Sequence, residues 1–108
     1  MVERIYSFLG LAAKAGKLIS GEETCERAIK LEKVRLIIVS DDASDNTKKK
    51  FNDMCKYRNV EIRVFGLKQS LGKYTGKDIR SVLAVTDRKF AEHLQEMIDS
   101  NSLEHGGV

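Results

Sequence analysis

The stretch Val34-Arg35-Leu36-Ile37-Ile38-Val39 decides the architecture, because it is β-branched and apolar almost throughout. Such a run suits a central strand covered by helices on both faces. The segment that follows, Asp41-Asp42-Ala43-Ser44-Asp45-Asn46, is rich in turn formers and offers several helix N-caps. Thr47, Phe51, Met54 and Cys55 then supply the buried stripe of a helix, with Lys48, Lys49 and Lys50 spread over its other faces. Beyond it, Val60-Glu61-Ile62-Arg63-Val64-Phe65 alternates with period two, which predicts a strand with one wet face at the sheet edge.

Toward the amino terminus, Ile5, Phe8, Leu9, Ala12 and Ala13 recur at helical spacing, and Gly16 stands where a left-handed C-cap ends the helix, so a first helix is expected over residues 2–15. A short Lys17-Leu18-Ile19 stretch leads into Ser20-Gly21-Glu22-Glu23, whose Ser-x-x-Glu spacing predicts a capping box opening a second helix with Cys25, Ala28 and Ile29 inward. Toward the carboxyl terminus, a short helix is expected over residues 69–75 and a last buried strand over Val82-Leu83-Ala84-Val85. Asp87 then caps a helix that carries Phe90, Ala91, Leu94, Met97 and Ile98 inward. The expected fold class is α/β, a three-layer α-β-α sandwich around a small mixed four-stranded sheet. One domain is expected over residues 1–100, with a frayed tail over 101–108.

A chain of 108 residues with 42% hydrophobic and 32% charged residues holds one core and excludes most multi-domain enzymes. Prolines are absent, and no linker-like segment interrupts the pattern. No apolar run approaches the roughly 20 residues needed to cross a bilayer, and Glu3 sits where a signal peptide would be basic. The expectation is a cytoplasmic chain without a membrane partner. Cys25 and Cys55 lack a CxxC spacing and a secretory context, which predicts reduced, partly buried thiols rather than a disulfide.

Catalysis requires converging groups, and few are available. His93 lies off the Phe90, Leu94, Met97 stripe, and His105 falls in a Gly-rich tail, so neither is placed as a general base. No paired spacing supports a metal site, and no cofactor is expected. Gly72-Lys73-Tyr74-Thr75-Gly76-Lys77 has three residues between its glycines and continues with Asp78, so it fails the phosphate-loop pattern of four intervening residues and a hydroxyl after the lysine. Asp41 and Asp42 near a strand end are the one pair that keeps a small-molecule enzyme in view; a turn and a helix cap explain them more simply.

The charge is unevenly spread. With 19 Lys plus Arg against 16 Asp plus Glu the formal charge is +3, yet residues 61–80 hold five bases against two acids and residues 81–108 two against five. Lys14, Lys17, Arg27 and Lys30 extend the positive part, which suits phosphate contact if these side chains share a face. Four Phe and three Tyr, mostly on buried stripes, leave little stacking surface for single strands, so the pattern favours recognition of RNA shape.

Four pieces in order carry a family resemblance: Leu18-Ile19-Ser20-Gly21-Glu22-Glu23, the run Val34 to Val39 continued by Ser40-Asp41-Asp42-Ala43, Leu71-Gly72-Lys73-Tyr74-Thr75-Gly76, and Val82-Leu83-Ala84-Val85. Over about residues 2–98 the chain resembles the kink-turn RNA-binding family of ribosomal proteins, the L-seven-Ae and L-thirty-e type. Its segments Gly10 to Gly21 and Asp42 to Lys50 look most like the bacterial YlxQ-like branch. The resemblance implies a non-catalytic protein, associated with the ribosome or translation, that grips a sharply bent RNA internal loop.

By the same resemblance the recognition loop opens the second helix, at Ser20, Gly21, Glu22, Glu23 and Thr24, with Arg27 at a usual basic position. A helix amino terminus offers free N–H groups to phosphates or base edges, and a glycine lets RNA approach the backbone. Family members carry Asn-Glu or Lys-Gln where this chain aligns Glu23 and Thr24; a carboxylate there accepts from a guanine or cytosine amino group but repels phosphate. A second family contact maps to the loop Lys77, Asp78, Ile79, Arg80 and Ser81, where Ile79 supplies apolar contact with an extruded base or else anchors the last strand. Asp42 and Ala43 lie where family members also approach RNA. The competing reading is a protein-interaction module on the same scaffold, motivated by the acids Glu22, Glu23 and Glu26.

Overall fold

The computed structural model describes the backbone of residues 1–106 and the side chains of residues 1–101; of the tail expected to fray over 101–108, residues 101–106 continue α5 as helix, and 107–108 lie outside the described residues. Nine elements alternate along the chain: α1 (Val2–Lys14), β1 (Leu18–Ser20), α2 (Glu22–Lys30), β2 (Leu36–Val39), α3 (Asp45–Arg58), β3 (Glu61–Val64), α4 (Lys68–Tyr74), β4 (Val82–Val85) and α5 (Arg88–Gly106). The strands form one mixed sheet in the order β1-β4-β2-β3, with β2 and β3 parallel and the other two pairings antiparallel. The run Val34 to Val39 does supply an interior strand, all four residues of β2 being buried, and the alternating segment supplies the edge strand β3.

The alternation of side chains along a strand sends β2 and β4 into two separate cores. On one face Leu36, Ile38, Leu83 and Val85 pack with Ile5 and Leu9 of α1, Leu71 of α4, and Leu94 and Ile98 of α5. On the other face Ile37, Val39, Val82 and Ala84 pack with Cys25 and Ile29 of α2 and with Phe51 and Cys55 of α3. Burying each such aliphatic side chain contributes roughly 2 kcal/mol, whereas an exposed ion pair such as Lys49–Asp53 at 2.8 Å contributes near zero. The two apolar layers hold the molecule. Both cysteines are free and fully buried, and burial pushes Cys25 up to about 12 and Cys55 up to about 11. No helix among the described residues is long and apolar enough to cross a membrane.

Left-handed residues follow the carboxyl ends of α1 to α4. After α1, Gly16 at φ 73° lets its own N–H reach Ala13 O and the N–H of Lys17 reach Ala12 O, the double bond that terminates a helix sharply. α4 ends the same way at Gly76. At the amino ends, Ser44 caps α3 by accepting from Thr47 N–H at 3.1 Å, and Asp87 accepts from Phe90 N–H at 2.9 Å as α5 begins.

One expected cap does not form. Ser20 is the last residue of β1, and its hydroxyl accepts from Arg80 Nε at 3.0 Å rather than from the start of α2. The N-cap of α2 is Gly21, at φ 101°, with no side-chain hydrogen bond. The Ser-x-x-Glu spacing is real, but pairing of β1 with β4 carries Ser20 into the sheet, where a guanidinium from sixty residues away claims its oxygen.

Candidate functional site

The amino ends of α2 and α3 lie together at the rim where β1 and β2 end and β4 begins. Their proximity follows from the register, which sets Ser20 opposite Leu83 and Val39 opposite Val82. Gly21 N–H donates to Val82 O at 3.0 Å and Ser40 N–H to Ser81 O at 2.8 Å, so the chain entering β4 is stitched between the starts of the two helices. A hydrogen bond of 3.3 Å from Thr47 Oγ1 to Glu22 Oε2 joins α3 to α2 directly.

Within this rim α2 stands apart, because no side chain accepts from its first turn. The N–H groups of Glu22, Glu23 and Thr24 therefore point outward at the positive end of the helix dipole. Opposite them runs the loop from Lys77 to Ser81. Ser20, Gly21, Glu22, Glu23, Thr24, Ile79, Arg80 and Ser81 line one depression of about 440 Å³. An adjoining one of about 430 Å³ shares Ser20, Thr24 and Arg80 with it and adds Lys77. The structure thus brings together the two segments singled out in the sequence as separate contacts.

The loop is held in place by a missing side chain. A Cβ on Gly72 would lie 1.3 Å from Asp78 O, so the backbone of residues 78–79 packs directly on α4 and only glycine fits. Arg80 is fixed further by its N–H to Lys68 O at 3.0 Å, by Nε to Ser20 and by Nη1 to Ile79 O at 2.9 Å. Its guanidinium is thereby oriented beside the α2 amino end before any ligand arrives. Ile79 is 58% exposed, which separates it from the core and makes it an apolar surface group at the lip of the depression rather than an anchor of β4.

The acids of α2 are unequal. Glu26 takes Lys50 at 2.7 Å and Lys30 at 3.1 Å, and these partners hold its carboxyl below the usual range. Glu22 is turned toward Thr47. Glu22 and Glu23 are both exposed at the depression, and Arg27 is exposed one turn further along. Of the remaining candidates, Asp42 Oδ1 accepts the N–H of Lys68 at 2.9 Å, a bond that lowers its pKa, and Ala43 is buried against the α3 core. The structure gives these two residues structural work and does not bring them into the depression. Asp78 and Lys77 are both exposed, Lys77 in the adjoining depression. Thr75, buried beneath it with its hydroxyl donating to Leu71 O at 2.7 Å, belongs to the same wall and had no signal in the sequence beyond its place before Gly76.

Taken together, these features define an α-β-α sandwich in which the uncapped amino terminus of α2 faces a preorganised arginine loop. The chain belongs to the Ribosomal protein L7Ae/L30e/S12e/Gadd45 family, whose profile matches residues 3–95. It is similar to the RNA-binding protein YlxQ of Bacillus subtilis (strain 168), 38% identical over 94 residues that make up 87% of this chain and 94% of that protein. The RNA-binding protein YlxQ of Enterococcus faecium is 36% identical over 90% of this chain and 93% of its own length. Among solved structures, a protein with unknown function from Bacillus halodurans C is 41% identical, with a TM-score of 0.85 over 88% of this chain and 96% of that one. The Giardia lamblia 15.5kD RNA binding protein shares the fold at 15% identity, with a TM-score of 0.74 over 88% and 84% of the two chains.

Proposed function

We propose that this chain is a non-catalytic RNA-binding protein of the cytoplasm that recognises a kinked, structured RNA such as a kink-turn, in association with the ribosome or the translation machinery. The observation that carries the reading is the convergence of the unpaired α2 amino terminus with the Ile79-Arg80-Ser81 loop in one open, polar depression. Backbone N–H groups in a fixed cluster suit phosphate or base-edge oxygens, and the oriented Arg80 adds a charged donor. An exposed Ile79 at the lip suits the face of an unstacked base, which a continuous duplex does not present. The names of both curated relatives agree with RNA as the ligand.

The interaction-module reading needs a negative patch from Glu22, Glu23 and Glu26. With Glu26 neutralised by two lysines, Glu22 and Glu23 are the charged acids left at the depression, Glu22 held toward Thr47 and Glu23 open to accept from a base amino group, and the Arg80 guanidinium on the same depression offsets them. That balance favours RNA over a basic protein partner. Titration with a kink-turn stem and with the same stem repaired to a continuous duplex tests the proposal. The kinked RNA should bind at least about tenfold more tightly, with an affinity that falls as salt rises. Equal affinity for the two would remove the kink-specific reading.

A further inference from the structure

A second open surface lies two strands away from the α2 rim, at the edge of the sheet. β3 is the last strand in the order and pairs with β2 alone. Phe65 N–H donates to Val39 O at 2.9 Å, so by alternation the N–H groups of Ile62 and Val64 face away from the sheet. Arg63 Nη1 engages Ile62 O at 2.9 Å, which leaves the outward N–H groups and the carbonyl of Val64 without a partner in the sheet.

The two faces of this edge are treated differently. Toward α5, Arg63 and Glu61 form an ion pair at 3.0 Å, and Arg63 also grips Asp99 through Nε at 2.8 Å and Nη2 at 3.1 Å. Charges and bulky ion pairs of this kind blunt an edge against pairing with another chain. Toward α3, among the described residues, no ion pair involves a residue of β3. A groove of about 430 Å³ opens there between Val39, Ile62 and Val64 on one side and Lys48, Lys49 and Asn52 on the other, and Val64 is 50% exposed within it.

We propose that the groove between α3 and the free edge of β3 receives an extended acidic segment of a partner protein, which adds to β3 as a fifth strand. Unpaired peptide groups along the edge bind a second peptide backbone; of the side chains that the added strand turns toward α3, every second residue along it, apolar ones rest on the floor of Ile62 and Val64 and acidic ones reach Lys48 and Lys49 on the wall. Lys49 is paired with Asp53 only across an exposed contact, which a ligand carboxylate can replace at little cost. A second copy of this chain suits the groove poorly, because it would bring the same two lysines to the seam. RNA could satisfy the lysines, but it has no use for an apolar floor or a strand edge.

Calorimetry and amide hydrogen exchange with a synthetic peptide repeating Val-Thr-Glu-Thr, which turns Val and Glu to the same face, alongside one repeating Val-Thr-Lys-Thr, test the proposal on the full chain. The acidic peptide should bind and slow exchange at Ile62 and Val64 by at least about tenfold, and Lys48→Glu should weaken it by about tenfold. Val64→Lys, at an exposed position, should abolish binding; the thermal midpoint of each variant checks that it is folded. If Val64→Lys fails to fold, Lys48→Glu and the peptide pair decide the matter alone. Equal binding of the basic peptide, protection confined to other strands, self-association through β3, or occupation of the groove by oligouridylate in place of peptide would each overturn it.

Discussion

The amino ends of α2 and α3 sit side by side at one rim, and the chain finishes them in opposite ways. α3 begins at Ser44, whose hydroxyl closes the first turn through Thr47 N–H and whose neighbour Ala43 is buried. α2 begins at Gly21, which has no side chain to offer, and the serine beside it is spent on Arg80. A Ser-to-Ala change at a helix cap typically costs about 1 kcal/mol, so leaving a helix uncapped forgoes stability of that order. The difference separates a helix start that serves the fold from one whose donors are kept for a ligand.

The contrast can be broken most severely from below, through the loop that faces α2. Gly72→Ala would drive a Cβ into the backbone of Asp78, and should cost about 3 kcal/mol in a urea titration while displacing Arg80 and abolishing RNA binding. A variant with an unchanged midpoint would mean that the loop is not pinned by this contact. Next in size are the two serines. Ser44→Ala should lose about 1 kcal/mol of stability with RNA affinity intact, whereas Ser20→Ala should lose only a few tenths but weaken RNA binding by freeing Arg80. Equal stability losses would erase the distinction between the two helix starts.

Smaller effects sharpen the electrostatic side. Arg27→Ala should reduce RNA affinity by about threefold in a fluorescence titration, and Lys89→Ala, at the far end of the molecule on α5, should leave it unchanged. The reverse order would move the binding face. The gentlest probe is pH. The folded thiols of Cys25 and Cys55, raised by burial to about 12 and about 11, stay neutral where unfolded thiols ionise near 9.0. Their contribution is therefore complete below pH 9.0 and declines as pH rises toward 11 and 12, so the urea midpoint should fall over that range. Replacing both cysteines by alanine should flatten that decline.

Much of this arrangement is legible in the sequence where one local signal acts without a competitor. The β-branched run at Val34 to Val39, Gly16 after the first helix and Asp87 before the last each specify their element through neighbours a few residues away, and each does so in the structure. The capping box at Ser20 fails because its competitor is tertiary: strand pairing and Arg80 outbid a local turn, and nothing near Ser20 in the chain signals either. The candidate site is legible as two separate segments. Their meeting is not, since it depends on the antiparallel register of three-residue β1 with β4 and on a Gly72 contact visible only once the loop is in place. Asp42 and Ala43 share the family-like wording of the sequence, but the structure uses one to hold α4 and the other to fill the core.

Whether the open start of α2 is a ligand-binding surface is read from amide chemical shifts of the isotopically labelled protein titrated with a kink-turn RNA. Glu22, Glu23 and Thr24 should move together with Ile79, Arg80 and Ser81, while the capped first turn of α3 at Asp45 and Asn46 should move far less. Shifts concentrated at α3, with Glu22 to Thr24 unmoved at saturating RNA, would contradict a binding role for the start of α2.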